Sequence, residues 1–142
     1  MFLGRFNHTV DEKGRLAIPA RFRPDLQAGL VITRGTDRCL SVYPLSTWET
    51  LAAKLDALPL GDANARNLRR AAFAAAEPAE LDKQGRIVLP ERLRAYANLG
   101  GNIAVVGMNT YLELWDLPTW ETLEGEVEAQ GDVFAAHLAG QF

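Results

Sequence analysis

Cysteine is nearly absent: Cys39 stands alone in 142 residues. It cannot form an intrachain disulfide. With only two histidines, His8 and His137, no Cys/His spacing offers a zinc site. A disulfide or zinc framework is therefore excluded, no metal is expected, and a cytosolic compartment is the default. Long hydrophobic runs are missing too. No stretch is long enough to span a bilayer, and Met1 to Arg15 lacks the apolar core of a signal peptide, so no membrane contact is expected. No nucleophile–histidine pairing and no phosphate-binding glycine loop of adequate length occurs, which leaves no cofactor to expect. Excess positive charge is also lacking. The net charge of −3 by itself argues against a nucleic-acid binder.

The distribution of charge argues differently. Residues 1–71 hold 11 Lys and Arg against 7 Asp and Glu, whereas residues 72–142 hold 4 against 11. A basic half beside an acidic half fits nucleic-acid contact or head-to-tail self-association, and equally a chance spread of surface charge. The remaining composition, 48% hydrophobic and 23% charged, is that of a globular protein able to bury a core.

What is present is a repeat. Asp11-Glu12-Lys13-Gly14-Arg15-Leu16-Ala17-Ile18-Pro19 returns as Asp82-Lys83-Gln84-Gly85-Arg86-Ile87-Val88-Leu89-Pro90, 71 residues later. Arg21 and Arg23 return as Arg92 and Arg94. With one inserted residue, Leu45-Ser46-Thr47-Trp48-Glu49-Thr50-Leu51 matches Leu117-Pro118-Thr119-Trp120-Glu121-Thr122-Leu123. Head and tail of one unit are both duplicated, and the period is too long for a solenoid. The units are expected at 1–77 and 78–142.

Each unit reads as strand, turn, strand, short helix, hairpin, helix. Met1 to Val10 is extended, and Asp11 to Gly14 is a turn in which Gly14 holds a positive φ. A short strand through Leu16 and Ile18 ends at Pro19, and a helical turn follows. Val31–Arg34 and Cys39–Tyr43 flank a hairpin turn at Gly35 to Arg38. Ser46-Thr47-Trp48-Glu49 has the form of a capping box opening a helix, with Trp48, Leu51, Ala52 and Leu55 on one face. Asp62 caps a second helix, with Ala65, Leu68, Ala72 and Ala75 on its apolar side. In the second unit a strand ends near Leu81, Arg86 to Leu89 is a strand, and Pro90 opens a short helix. Ile103–Val106 and Tyr111–Trp115 form a hairpin, and Pro118 suits the first position of the last helix. Four short strands cannot cover both their faces alone. Two units pairing across a pseudo-twofold can close a small barrel. The expected class is therefore α+β, a tandem-repeat pseudo-dimeric small β-barrel decorated with helices, with both Asp-x-x-Gly-Arg turns presented together.

Met1-Phe2-x-Gly4, His8-x-x-Asp11-x-Lys13-Gly14-Arg15-x-x-x-Pro19, Asp82-x-x-Gly85-Arg86-x-x-x-Pro90 and Glu113-x-Trp115 together resemble the MraZ family over essentially the whole chain. The resemblance implies two halves of the swapped-hairpin AbrB (SpoVT-AbrB) type. It implies a bacterial transcriptional regulator of the division and cell-wall gene cluster, acting in the cytoplasm at the nucleoid. It further implies homo-oligomeric rings, of the octamer or dodecamer class, that bind repeated boxes in the promoter of their own operon. One departure is visible: Lys13 aligns with Gln84, and Lys83 with Glu12, so the two turns need not meet DNA equally.

The turn chemistry suits that role. Arg presents a planar fork that can bond guanine O6 and N7 together in the major groove. Asp11 and Asp82, four residues earlier, can orient Arg15 and Arg86 or bond the turn backbone. Gly14 and Gly85 allow close approach, and Lys13 and Lys83 suit phosphates. Arg5, His8 and Gln84 are candidates for the rim of that surface; Arg21 and Arg23 either extend it or are solvated. The plainer reading of both turns is an ion pair that pins a loop. Asp11 and Asp82 could also be read as a catalytic dyad, but the adjacent arginines oppose the shared proton a dyad needs, so no enzyme is expected. The rival to a regulator is a non-catalytic oligomeric scaffold or antitoxin-like interaction module. Arg66, Arg69 and Arg70 form either a solvated face or a contact for the acidic last helix (Glu121, Glu124, Glu126, Glu128). Trp48 and Trp120, equivalent in the two units, suit packing, and Cys39 a small buried position.

Overall fold

The computed structural model describes residues 1–142. Eight strands and four helices alternate in two similar halves. The first half contains β1 (Arg5–Thr9), β2 (Arg15–Ala17), β3 (Leu30–Arg34), β4 (Leu40–Pro44), α1 (Leu45–Asp56) and α2 (Ala63–Ala75). The second contains β5 (Glu77–Ala79), β6 (Arg86–Val88), α3 (Glu91–Ala97), β7 (Asn102–Gly107), β8 (Leu112–Asp116) and α4 (Leu117–His137). The fold is α+β with the swapped-hairpin arrangement.

The halves interleave. The main sheet runs β1-β7-β8-β4-β3-β5, antiparallel throughout. Each half thus lends its first strand to the other half's hairpin, β1 to β7 and β5 to β3. The second strands, β2 and β6, pair with each other as a separate ribbon. The Val10–Leu16 bridge and the bonds Asp11 N–H to Arg15 O and Asp82 N–H to Arg86 O join this ribbon to the two sheet edges. The unit boundary expected at 77/78 falls inside β5.

The ribbon alternates as its pleat demands. Leu16 and Ile87, opposite one another, are fully buried, while Arg15, Ala17, Arg86 and Val88 face outward. Leu16 and Ile87 join Ile18, Leu89, Phe22, Leu93, Ile32 and Ile103 in one core drawn from both halves. Phe22 packs edge-on against Phe2 and Phe6, each at 5.4 Å between ring centroids.

Several local expectations are corrected. Ser46 is not an N-cap: the cap position falls two residues earlier, at Pro44, with no side-chain cap, and the Leu45 N–H finds its partner in Gly29 O at 3.1 Å. Pro118 lies at the second rather than the first helical position of α4, which Asp116 caps by accepting from Thr119 N–H. The fifth strand ends at Ala79 rather than near Leu81. Leu68 is 54% exposed, since α2 docks through Ala65, Ala72 and Ala75, and Phe73 instead meets Trp48 at 5.9 Å. Asp62 caps α2 as expected, accepting from the N–H groups of Asn64 and Ala65. Cys39 is buried, and Trp48 and Trp120 both pack on aromatic neighbours.

Ile87 seats the ribbon on the shared core, so Ile87→Ala should cost about 2–5 kcal/mol. Because the core is common, the whole chain should unfold in one transition with a lower midpoint, read by denaturant titration followed by far-UV and tryptophan signals. Two separated transitions, one per half, would contradict the interleaved core.

Candidate nucleic-acid interface

Each turn is built by its aspartate. Asp11 Oδ1 accepts from the N–H groups of Lys13 and Arg15, both at 2.9 Å, and its Oδ2 accepts from Arg15 Nε at 2.6 Å. Asp82 repeats this with Gln84 N–H at 2.8 Å, Arg86 N–H at 2.9 Å and Arg86 Nε at 2.7 Å. A carboxylate accepting two backbone bonds and a guanidinium bond is strongly held in its charged form. Both carboxyl groups accordingly titrate below the ordinary 3.8, chiefly through the backbone N–H of Arg15 or Arg86 and then through the arginine side chain. Two carboxylates so anchored cannot share a proton, which removes the dyad chemistry.

Each turn rests on the other half. Leu89 N–H donates to Gly14 O at 2.8 Å, and Ile18 N–H donates to Gly85 O at 2.9 Å. Gly14 and Gly85 take φ of +79° and +75°. A Cβ on Gly14 would come 2.8 Å from Leu89 O and 3.0 Å from Arg94 Nε, and one on Gly85 would collide with the Arg23 guanidinium. Both conformation and space thus require glycine. Arg23 and Arg94 are themselves fixed, Nε donating to Ile18 O and Leu89 O at 2.9 Å. Sequence reading treated Arg23 as a rim or solvated residue. Its role as a brace under the opposite turn was signalled only by its return as Arg94.

The outward face of the ribbon carries Arg15 and Arg86 at diagonal positions, opposite Val88 and Ala17 respectively. Their side chains are 33% and 30% exposed, half-covered by their aspartates but open to solvent. With Nε engaged, both terminal nitrogens of Arg15 are without a protein partner, whereas Arg86 Nη2 donates to Gln84 Oε1 at 2.7 Å. Lys13 and Lys83 are exposed and make no ion pair. His8 lies half-buried in β1, its pKa lowered by burial and by the nearby Arg23 charge. Arg5 points elsewhere: it donates to Asn7 and reaches Glu124 of α4 at 3.5 Å. Arg69 is tied to Asp56, and Arg66 donates to Leu60 O, so within one chain this cluster latches α2 to the end of α1.

The duplicated turn is matched by sequence comparison. A family described as "MraZ protein, putative antitoxin-like" matches twice, over residues 1–71 and 72–137. The chain belongs to the MraZ family. Among its relatives, a protein of Herpetosiphon aurantiacus is 50% identical over 139 residues, covering 98% of this chain and 97% of the relative. One of Thermomicrobium roseum is 49% identical, covering 98% of each. One of Moorella thermoacetica is 47% identical, covering 97% of this chain and 96% of the relative. Each is named transcriptional regulator MraZ, a non-enzymatic role. The two MraZ matches bracket the two turns, one in each. Glu113 and Trp115, which also carry the resemblance, are joined by a bond from Trp115 Nε1 to Glu113 Oε1 at 3.0 Å. No helix of the chain is long and apolar enough to cross a membrane.

Because the folded aspartates titrate below 3.8, the turn contribution to stability is complete above that pH. It is lost as pH falls through the lowered folded value. Carboxyl-carbon NMR should give Asp11 and Asp82 midpoints below 3.8, and Arg15→Ala should move Asp11 upward while leaving Asp82 unchanged. A wild-type midpoint at or above 3.8 would mean that the turn bonds do not persist in solution.

Proposed function

We propose that this chain is a sequence-specific DNA-binding transcriptional regulator that reads duplex DNA with Arg15 and Arg86. One observation carries the reading: two aspartate-anchored arginines stand together on the outward face of one two-stranded ribbon. The major groove admits such a ribbon, and an Arg whose Nε is fixed aims its terminal nitrogens as a fork at guanine O6 and N7. The names of the relatives support the regulatory role. Lys13 and Lys83 flank the ribbon and meet phosphates, which place the protein without reading sequence. Gly14 and Gly85 bring the turn backbone close to the duplex, and Gln84 sits at its rim. The targets are repeated boxes in the promoter of the chain's own operon, at the division and cell-wall genes, and the site of action is the nucleoid.

Two reading arginines give each chain modest selectivity, roughly 1–3 kcal/mol apiece. Repeated boxes and a ring of chains raise this through effective concentration. The second half of α4 supports self-association. From Gly125 onward every residue is exposed, including Val127, Val133, Phe134 and Leu138. The acidic flank of that helix complements the basic α2 of a neighbouring chain. An oligomeric interaction module that does not bind DNA would use the same helix, and the turns separate the two readings.

Arg15→Ala should weaken binding to the DNA upstream of the chain's own gene by about 5- to 150-fold in a gel-shift assay. Lys13→Ala should weaken all sequences alike and flatten the salt dependence by about one ion. Full affinity of Arg15→Ala at low and moderate salt would refute the reading. By mass photometry the chain should form a ring that Phe134→Asp breaks into smaller species; a monomer at micromolar concentration would refute assembly through α4.

A further inference from the structure

Val88 stands where nothing in the fold explains it. It is a large apolar side chain, 57% exposed, on the ribbon face that otherwise carries Arg15, Ala17 and Arg86. Scattered exposed hydrophobics are ordinary, so exposure alone means little. Position is what distinguishes it. Val88 lies directly opposite Arg15, and Ala17 directly opposite Arg86. The bonds from Leu89 N–H to Gly14 O and from Ile18 N–H to Gly85 O set the ladder's phase. That phase makes 15/88 and 17/86 non-hydrogen-bonded pairs, the kind whose side chains approach most closely. Val88 therefore stands beside Arg15 across the ribbon, with Arg86 two residues away on its own strand.

A ribbon that sets Arg15 against a base edge brings Val88 into the same groove. Base edges in the major groove offer one apolar group, the 5-methyl of thymine. We propose that Val88 is a specificity-determining residue that packs on a thymine methyl beside the base read by Arg15. Ala17, its pseudo-twofold counterpart, is too short to do the same beside Arg86. The duplicated ribbon thus reads its two half-sites unequally: one as guanine plus thymine, the other as guanine with little preference at the adjoining step. This rests on the assignment of Arg15 and Arg86 to base contact.

The test begins with the full-length chain and a random-sequence duplex pool, from which the preferred duplex is selected. Each thymine of that duplex is then replaced singly by deoxyuridine, which removes only the 5-methyl. For the wild type, one thymine near a guanine should show a loss of about fourfold, the factor for burying one methyl-sized group. Val88→Ala should be insensitive at that thymine and equal to wild type at all others. Ala17→Val, which adds the missing side chain and favours a strand, should acquire a second methyl-sensitive thymine on the other side of the centre. Val88 chosen only for strand propensity predicts no methyl-sensitive thymine in the wild type, or the same sensitivity in Val88→Ala; either result overturns the proposal. Were Val88→Ala to misfold, an Ala17→Val chain without a new sensitive thymine would overturn it equally. A pool that yields no preferred sequence removes the arginine assignment as well. Selection of guanine without methyl coupling removes only the role of Val88.

Discussion

Exchange of strands between the two halves is the constraint on which everything else depends. Within its own half β2 has only the isolated Val10–Leu16 bridge and β6 has no strand partner, so each finds the other. That single pairing places Leu16 and Ile87 at the centre of a common core. It also sets each Asp-Gly-Arg turn on a floor supplied by the opposite half. The floor consists of Leu89 with Arg94 beneath Gly14, and Ile18 with Arg23 beneath Gly85. A turn held only by local bonds would have several conformations. Here local bonds from the aspartate and distant bonds from the other half specify the same one.

Rigidity of that kind is what a long side chain needs in order to discriminate. An arginine loses rotamer freedom when it binds, and a group already fixed loses less. Anchoring Nε on the aspartate removes most of the freedom of the stem; the fork of Arg15 stays free, while that of Arg86 is also held by Gln84. The anchor also depresses the aspartate pKa, so near neutral pH the brace is permanently charged. The same ion pair pins the loop and, in the proposed reading, orients the fork.

The duplication is not perfect, and its departures fall at the site. Gln84 in place of lysine accepts from Arg86, whereas Lys13 leaves Arg15 with one anchor. Val88 replaces the small Ala17 on the outward face. Elsewhere the halves diverge in their helices: α1 and α2 follow the first hairpin, and the single long α4 follows the second. The first half thereby gathers arginines on α2 while the second extends an acidic helix. The charge asymmetry legible in composition is realised as two different helical attachments to one symmetric barrel.

Much was legible in the chain alone because it depended on neighbouring residues. The repeat is visible by direct comparison of the two segments, while the alternation of Leu16 and Ile18 with smaller residues, the positive φ of Gly14 and the cap at Asp62 follow from steric or hydrogen-bonding rules acting within a few residues. The false cap at Ser46 and the misplaced face of Leu68 show the limit. Gly29 O, distant in sequence, satisfied the start of α1, and α2 turned to seat Phe73 on Trp48. Only the tertiary structure decided that β2 would pair with β6, that Arg23 and Arg94 would brace opposite turns, and that Arg5 would face Glu124. Those outcomes depend on which groups meet after the chain has folded back across its pseudo-twofold. Residues so far apart along a chain carry no local signal of their meeting.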